Sequence, residues 1–281
     1  MAVLLCLLAQ VTAVRAVTAA GATTSLWVMK LDSEGALLAG RTVDYQWMEK
    51  NLPVQGDGVT HYYHQGPVFE GDVWDPGETV NLKDKGAVRG TDVRDLCELA
   101  GGMSPGDEVM LVAVDNWSTR LAYSNVYEPD DRQGPAVLCW HRGQDEGSPS
   151  GQGSGYPAEN AFHEGIQIVF LARTANAGGQ HVFGNSDMKV CLPEEEYQHY
   201  YDGLPSTNGL SGKWIDRVVI CPAGSTPVIP DMDTQGRQAD ASGGTPWLPI
   251  ALGGAGLLML GAAAWLLVRR RSQPSSPKGG V

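Results

Sequence analysis

The run His61 to Pro67 (HYYHQGP) holds the densest set of side chains in this chain that could do chemistry. Two imidazoles lie three residues apart with two phenols between them, and Gly66 and Pro67 predict a turn after them. Imidazoles bind transition metals, and imidazole, phenol and amide groups together suit an anion or a polar ring system. The run therefore predicts a binding site, whose ligand-contacting residues we expect to be His61, Tyr63, His64 and Gln65.

Three interpretations of the two histidines stay open at the level of sequence. As metal ligands they need a third donor, which we expect to be His181, with Asp187, Glu70 and Asp72 as alternatives. As contacts to a polar ligand they need only share a pocket with the phenol and amide groups. As packing residues they lie partly buried beside aromatic rings with their hydrogen bonds satisfied.

The elements that must position this run are predicted by short apolar patterns and turn residues. Strands are expected at 26–31, 36–43, 108–114, 118–123, 136–140, 165–172 and 213–221, and helices at 45–51, 92–100 and 194–201. The polar stretch 70–86 predicts a loop, and 181–185 predicts a compact turn. Together these patterns predict one β-rich α+β domain with mixed sheets over residues 25–221.

Both ends of the chain carry export-type segments. Residues 1–22 resemble a signal peptide, and 247–268 form an uncharged run long enough for a transmembrane helix, followed at once by three arginines. Residues 222–246 are rich in Pro, Gly, Asp and Thr and predict a flexible linker, while 269–281 predict a short cytoplasmic tail. We therefore expect a single-pass protein of the cell membrane, anchored by its C-terminal helix, whose domain is extracytoplasmic.

The net charge and the cysteine content limit which partners and which covalent links the protein can have. The formal net charge is −12, and leaving out Arg15 and the four cations of the tail lowers it to −17, which argues against nucleic acid as a partner. Four cysteines lie in the predicted domain, in a compartment that permits disulfides, and Cys191 with Cys221 is the pair we expect. The chain has no haem-attachment motif, so its redox partner, if it has one, is unknown.

Three stretches, in order, resemble the molybdopterin-binding domain of the sulfite oxidase family. They are 86–101 (GAVRGTDVRDLCELAG), 109–123 (VMLVAVDNWSTRLAY) and 210–220 (LSGKWIDRVVI). The resemblance covers most of the predicted domain and implies a mixed-strand fold around a pterin pocket. It also implies that Lys213 meets an anionic group. The family's metal-binding cysteine has no counterpart between Cys6 and Cys97, where His61 to His64 lie instead, and Gln167 stands where the family has an arginine.

The resulting functional hypothesis is an extracytoplasmic domain of sulfite-oxidase-like fold that binds a ligand or metal. Its small-molecule, metal or pterin ligand is expected to contact His61, Tyr63, His64, Gln65 and Lys213, with His61, His64 and His181 as the metal set. Molybdopterin or a transition metal ion is the expected cofactor. One alternative is a molybdopterin-dependent oxidoreductase with unusual metal ligation, and another is a non-catalytic surface interaction protein. Common hydrolase and nucleotide-binding motifs do not occur.

Overall fold

The computed structural model describes residues 21–143, 153–157 and 164–229, which form thirteen strands and four short α-helices. The strands are β1 (Ser25–Leu31), β2 (Leu37–Asp44), β3 (Val54–Gln55), β4 (His61–Gln65), β5 (Leu82–Asp92), β6 (Asp107–Ala113), β7 (Ser118–Ala122), β8 (Ala136–Arg142), β9 (Gln167–Phe170), β10 (His181–Phe183), β11 (Tyr200–Tyr201), β12 (Leu204–Pro205) and β13 (Ile215–Pro222). The helices are α1 (Tyr45–Asn51), α2 (Val93–Glu98), α3 (Tyr123–Tyr127) and α4 (Asn185–Cys191), with 3₁₀ helices at Glu195–Tyr197 and Thr207–Leu210.

Two mixed sheets and a small antiparallel sheet of β11 and β12 make up the fold of the described residues. The first has the order β2-β1-β13-β6-β7, in which β1 and β13 run parallel. The second has the order β10-β4-β5-β8-β9, with β3 added to β5, and β10 runs parallel to β4. The predicted strand-rich α+β fold with mixed sheets is therefore confirmed, while its sulfite-oxidase type remains a proposal.

The main core lies between elements of both sheets and is built by the alternation of side chains along each strand. Leu26 and Val28 of β1 join this core, whereas Trp27 and Met29 belong to a separate cluster on the opposite face. Helix α2 contacts β1 and β13 of one sheet and β5 and β8 of the other. It therefore closes the space between the sheets with its buried side chains, which are Val93, Leu96 and Cys97.

Several local predictions are confirmed, because short-range signals determine them. Asp92 caps α2 by accepting a hydrogen bond from the Arg94 backbone N–H at 2.9 Å, and the glycines at 101 and 102 end it with left-handed φ angles of 93° and 71°. Helix α1 covers the predicted residues, and Asp44 caps it. The hairpin of β6 and β7 turns at the predicted Asp115–Asn116.

Three local predictions are wrong. The end of the expected loop 70–86 belongs to strand β5, and the expected turn 181–185 contains strand β10 and the start of α4. The expected helix at 194–201 is reduced to one 3₁₀ turn and the short strand β11. In the first two cases pairing with β4 overrides local propensity, whereas β11 pairs with β12, which follows it directly in the chain.

The expected bond between Cys191 and Cys221 is not formed, since the four cysteines of the described residues are free thiols. Cys191 ends helix α4, whereas Cys221 lies on β13 in the core, where its thiol lies 3.8 Å from the Glu108 carboxylate. The two residues therefore serve different parts of the structure.

The terminal predictions lie largely outside the described residues. No helix of the described part is long and apolar enough to span a membrane. The predicted transmembrane segment 247–268 and all but the last two residues of the predicted signal peptide 1–22 lie outside the described residues. Of the predicted linker, residues 222–229 are described. Their contacts with the domain include a hydrogen bond from the Ala223 N–H to the Gly106 carbonyl and packing of Ile229 beside Trp27 and Met29.

Candidate functional site

His61 and His64, the two histidines of the predicted site, lie on strand β4, where residues three apart point to opposite faces. His61 and Tyr63 share one face, with their ring centroids 6.4 Å apart. The Nδ1 atom of His61 lies 2.8 Å from Oδ2 of Asp84 on β5. This carboxylate orients the imidazole.

His64 is a core residue on the other face of β4. It is fully buried, its Nε2 accepts a hydrogen bond from the Phe170 N–H at 3.1 Å, and its ring packs against Phe170 and Phe183. Burial and the nearby Lys85 ammonium hold the pKa of His64 well below its usual value. The residue is therefore a neutral imidazole that joins β4 to β9, and its Nε2 is not available to a metal.

The proposed metal set of His61, His64 and His181 is not brought together. His181 contacts the Ala172 carbonyl through Nδ1 at 2.9 Å, and its ring packs on Tyr62 at 5.7 Å. Within the residues that the structure describes, no three His, Cys, Asp or Glu side chains are arranged to hold a metal ion. The motif does not bring its two histidines to one face because a strand, not a helix or tight turn, carries it.

The other proposed third donors take different places. Asp187 is buried at the start of α4 beside Glu78, whereas Glu70 and Asp72 are exposed.

Gln65 is also a structural residue, whose side chain is held by hydrogen bonds within the protein. Its side-chain amide donates to the Asp75 carboxylate at 2.6 Å and to the Val80 carbonyl at 2.9 Å, and its Oε1 accepts from the Asn185 N–H at 2.9 Å. Gln65 is fully buried, so these bonds satisfy a polar group that would otherwise be costly. It joins the long loop before β5 to the start of α4 and is not free to contact a ligand.

A different group of side chains forms a cationic cluster, which we define as the buried Lys85 and Arg142 together with the partly exposed Lys213. Lys85 enters it through a β-bulge, since Tyr63 pairs with Asp84 and His61 pairs with Ala87, which leaves one extra residue on β5. Gly86 supplies the left-handed φ of 84° that the bulge requires. Lys85 is 5% exposed, and its ammonium donates to Oδ1 of Asn208 at 2.7 Å.

Arg142 comes from the end of β8 and is 1% exposed. Its Nη2 donates to Oε1 of Gln167 at 3.3 Å, and the Gln167 amide donates onward to the Ser211 hydroxyl at 3.1 Å. The arginine stem passes directly over the β5 bulge, because a Cβ atom added at Gly86 would lie 2.9 Å from Cδ and Nε of Arg142. The absence of a side chain at Gly86 therefore makes room for this buried guanidinium.

Lys213 completes the cluster through an ion pair with Glu164. The backbone fixes this pair as well, since the Trp214 N–H donates to the Glu164 carbonyl at 3.0 Å. Trp214 has a φ of 54°, which is a strained conformation for so large a residue. Strain of this kind persists where the surrounding structure enforces it and is frequent at functional sites.

The cluster holds more positive than negative charge. Burial and the nearby Lys213 lower the pKa of Lys85 to about 7, although Glu164 opposes the shift. Burial also lowers the pKa of Arg142, against the attraction of Glu164 and Asp84. Of these two carboxylates, Glu164 bonds Lys213 and Asp84 bonds His61.

Sequence reasoning found one member of the cluster and missed two. Lys213 was expected to meet an anionic group, and in the structure it pairs with Glu164 and lies close enough to Lys85 to lower that residue's pKa. Lys85 lay in a stretch predicted to be loop, and Arg142 at a strand end that favoured a surface position. The one local signal for Lys85 was the glycine that follows it, since a glycine within a strand pattern is typical of a bulge.

Comparison with known proteins adds no assignment: no protein-family model matches the chain, and no curated protein matches it.

The described residues do not fit the metal centre that the sequence resemblance implies. That centre needs a thiolate, and burial raises the pKa of the Cys97 and Cys139 thiols, both of which lie in packed apolar clusters. The histidines offer no shared set of donors in its place. The cationic cluster does suit the anionic part of a ligand. Of the two positions that the resemblance singles out, Lys213 belongs to the cluster and Gln167 accepts a hydrogen bond from Arg142.

Proposed function

We propose that this protein is a membrane-anchored extracytoplasmic domain of sulfite-oxidase-like fold that binds a small oxyanion at its cationic cluster. The observation that carries the proposal is the burial of Lys85 and Arg142, at 5% and 1% exposure, with the arginine stem packed against the β5 bulge that carries Lys85. The ligand is held by charge and hydrogen bonds.

The energetics of buried charge support a bound anion. Removing a cation from water costs several kcal/mol unless an opposite charge and hydrogen bonds compensate it. In the described structure the Lys85 ammonium makes one hydrogen bond, to Asn208, and it has three donors. In the part of the chain that the structure describes, the carboxylates that act on these cations are Glu164 and Asp84, and each already bonds another group, Lys213 and His61 respectively. The positive charge of the three cations is therefore only partly balanced there. An oxyanion with two or three acceptor oxygens would balance this charge.

The sequence resemblance supports the same site without the family's chemistry. A cofactor with a phosphate group would place that group at the cluster, but the chain offers no thiolate there for a metal. The oxidoreductase and surface-interaction hypotheses have no feature of the described residues in their favour. We therefore propose ligand binding as the function.

The anchor and the location rest on sequence alone. The apolar run 247–268 and the three arginines after it predict the transmembrane helix and its orientation. Membrane fractionation of the full chain, and of a chain that lacks 247–268, tests this part. The shortened chain should leave the membrane fraction.

The binding site is tested by calorimetric titration of inorganic phosphate into the purified full chain at pH 7. Lys85→Met should weaken binding at least tenfold, because a charge-assisted hydrogen bond and a full charge are removed. Lys83→Met is the matched control, since Lys83 lies two residues earlier on β5 and is exposed. Equal losses in both variants, or no binding to the unchanged protein, would contradict the proposed site.

A further inference from the structure

The cationic cluster contains one hydrogen-bond acceptor without a donor. Oε1 of Glu164 bonds Lys213, but Oε2 is buried and has no hydrogen-bond partner in the described structure. A buried carboxylate oxygen without a partner is costly, and such exceptions in native structures need an explanation such as a missing ligand. The carboxylate also lies close enough to Lys85 and Arg142 to act on the pKa of both.

A ligand of this cluster must therefore both accept and donate hydrogen bonds. Its oxygens must accept hydrogen bonds from the cations, since lysine and arginine side chains can only donate. At the same place the ligand must donate a hydrogen bond, because an ionised carboxylate can only accept. A fully deprotonated anion would meet the first demand, but it would place a bare oxygen against Glu164.

We propose that the ligand is an oxyanion that keeps a proton of its own, such as hydrogen phosphate or a phosphate monoester in its hydrogen form, and that Glu164 selects it. This inference rests on the proposed function, because it concerns the same site. The ligand's O–H donates to Oε2 of Glu164, while its remaining oxygens accept from Lys85 and Arg142. Sulfate has the same shape but carries no proton at neutral pH, so it would leave Oε2 unpaired and be repelled by it.

The test compares inorganic phosphate with sulfate by calorimetric titration of the full chain at pH 7 and constant ionic strength. We expect phosphate to bind at least about tenfold more tightly, since the unmet acceptor and the repulsion act only against sulfate. Glu164→Gln should reduce this preference to less than about threefold, because a neutral amide can donate to sulfate as well as accept from phosphate. A parallel titration with glycerol 3-phosphate distinguishes a phosphate ester from free phosphate as the natural ligand.

Asp107→Asn is the matched control. Asp107 also pairs with a lysine, Lys30, and its side chain is 15% exposed against 17% for Glu164. Because it lies on β6, outside the cluster, its removal should leave the preference for phosphate unchanged.

The outcomes separate the two claims. Equal binding of phosphate and sulfate to the unchanged protein would overturn the selectivity and leave the anion site standing. Failure of both anions to bind would overturn the anion site itself. If Glu164→Gln does not fold, arsenate and selenate decide the question with the unchanged protein. Arsenate keeps a proton and should bind like phosphate, while selenate should bind like sulfate, and the reverse order would contradict the inference.

Discussion

Lys85 shows how burial turns an ordinary lysine into a group that titrates near neutral pH. Its pKa falls to about 7 in the folded chain, whereas an unfolded chain keeps it near 10.5. Between these two values the unfolded state binds more protons, so this residue makes the free energy of unfolding rise with pH in that window. A bound anion would oppose the shift, because it stabilises the protonated form.

Glu78 is the second residue with a strongly altered pKa, and it lies outside the cationic cluster. Its Oε1 lies 3.3 Å from the backbone nitrogen of Asp187, whose own side chain bonds Arg132. Burial and the Asp187 charge raise the pKa of Glu78 to about 8. The carboxyl lies over Gly184, where an added Cβ would be 2.3 Å from it. Glu78 therefore fastens the loop before β5 to the start of α4.

This gives a prediction for alkaline pH. The folded pKa of Glu78 is above the unfolded value of 4.5, so the contribution to stability is complete below pH 4.5 and is lost as pH rises through 8. Glu78→Gln removes this titration and should be more stable than the unchanged chain at pH 9 by roughly 1–2 kcal/mol, allowing for solvent screening. Urea denaturation at pH 6 and pH 9 measures the difference.

Glu194→Gln is the control for this prediction, because Glu194 is exposed. A gain of stability at pH 9 in the control as well, or no gain in Glu78→Gln, would show that Glu78 is not a strained buried acid.

At the residue scale, the sequence predicted which residue types matter better than where they lie. The motif at His61 to His64 contains groups that could do chemistry, but His64 became a core residue because a strand alternates its faces. Arg142 was missed because a charged residue at a strand end is usually exposed. Its burial depends on Gly86 and Gln167, which come from other strands, and no local pattern reports such a contact.

The bulge in β5 is the element that positions the cluster. It adds one residue between the pairs Tyr63–Asp84 and His61–Ala87, and this changes the direction of Lys85 relative to its neighbours. Asp84 stabilises the bulge by accepting a hydrogen bond from the Gly86 N–H at 2.7 Å while it also bonds His61. The β-bulge that positions Lys85 in the cluster therefore also positions Asp84, the hydrogen-bond partner of His61 in the predicted site.

Gly86→Ala tests the bulge. Alanine must adopt a φ of 84° and place a Cβ against Arg142, so we expect a loss of stability of about 1–3 kcal/mol and weaker phosphate binding. Gly106→Ala is a matched control, because Gly106 has a φ of 94° and no atom close to an added Cβ. It should lose stability through strain but keep phosphate affinity. If both variants bind phosphate equally well, Arg142 does not depend on the bulge.

At the element scale, the sequence was most informative where signals are local. Caps, hairpin turns and apolar runs predicted α1, α2, β1, β6, β7 and β13 close to their observed positions. Strands β5 and β10 were missed because both owe their structure to pairing with β4. Because β4 itself had no strand prediction, its two partners could not be inferred either.

At the scale of the whole molecule, two mixed sheets and α2 place the cluster where segments distant in sequence meet. Lys85 and Arg142 come from the second sheet, and Lys213 from the segment that leads into β13 of the first. The class of fold was predictable because alternating short strands with few helices indicate it. The convergence of the three cations was not, since it depends on strand order, which local patterns do not encode.

The net charge of the chain also gave no indication of the cationic cluster. A formal charge of −12 argues against a phosphate-rich polymer as partner, but a sum over the whole chain does not show where buried cations lie. A small anion can still bind because screening at physiological salt limits surface repulsion to about 8 Å. The expected acidic exterior and a cationic cluster are therefore compatible.

The central claim, that an oxyanion binds at the cationic cluster, is tested most directly by nitrogen NMR of the lysine side chains in the full chain. Without phosphate, the Lys85 ammonium should titrate near pH 7, and saturating phosphate should raise that pKa by at least about one unit, because the anion favours the charged form. Lys83, exposed on the same strand, should not change. A Lys85 pKa close to about 10.4 that phosphate does not alter would contradict the account.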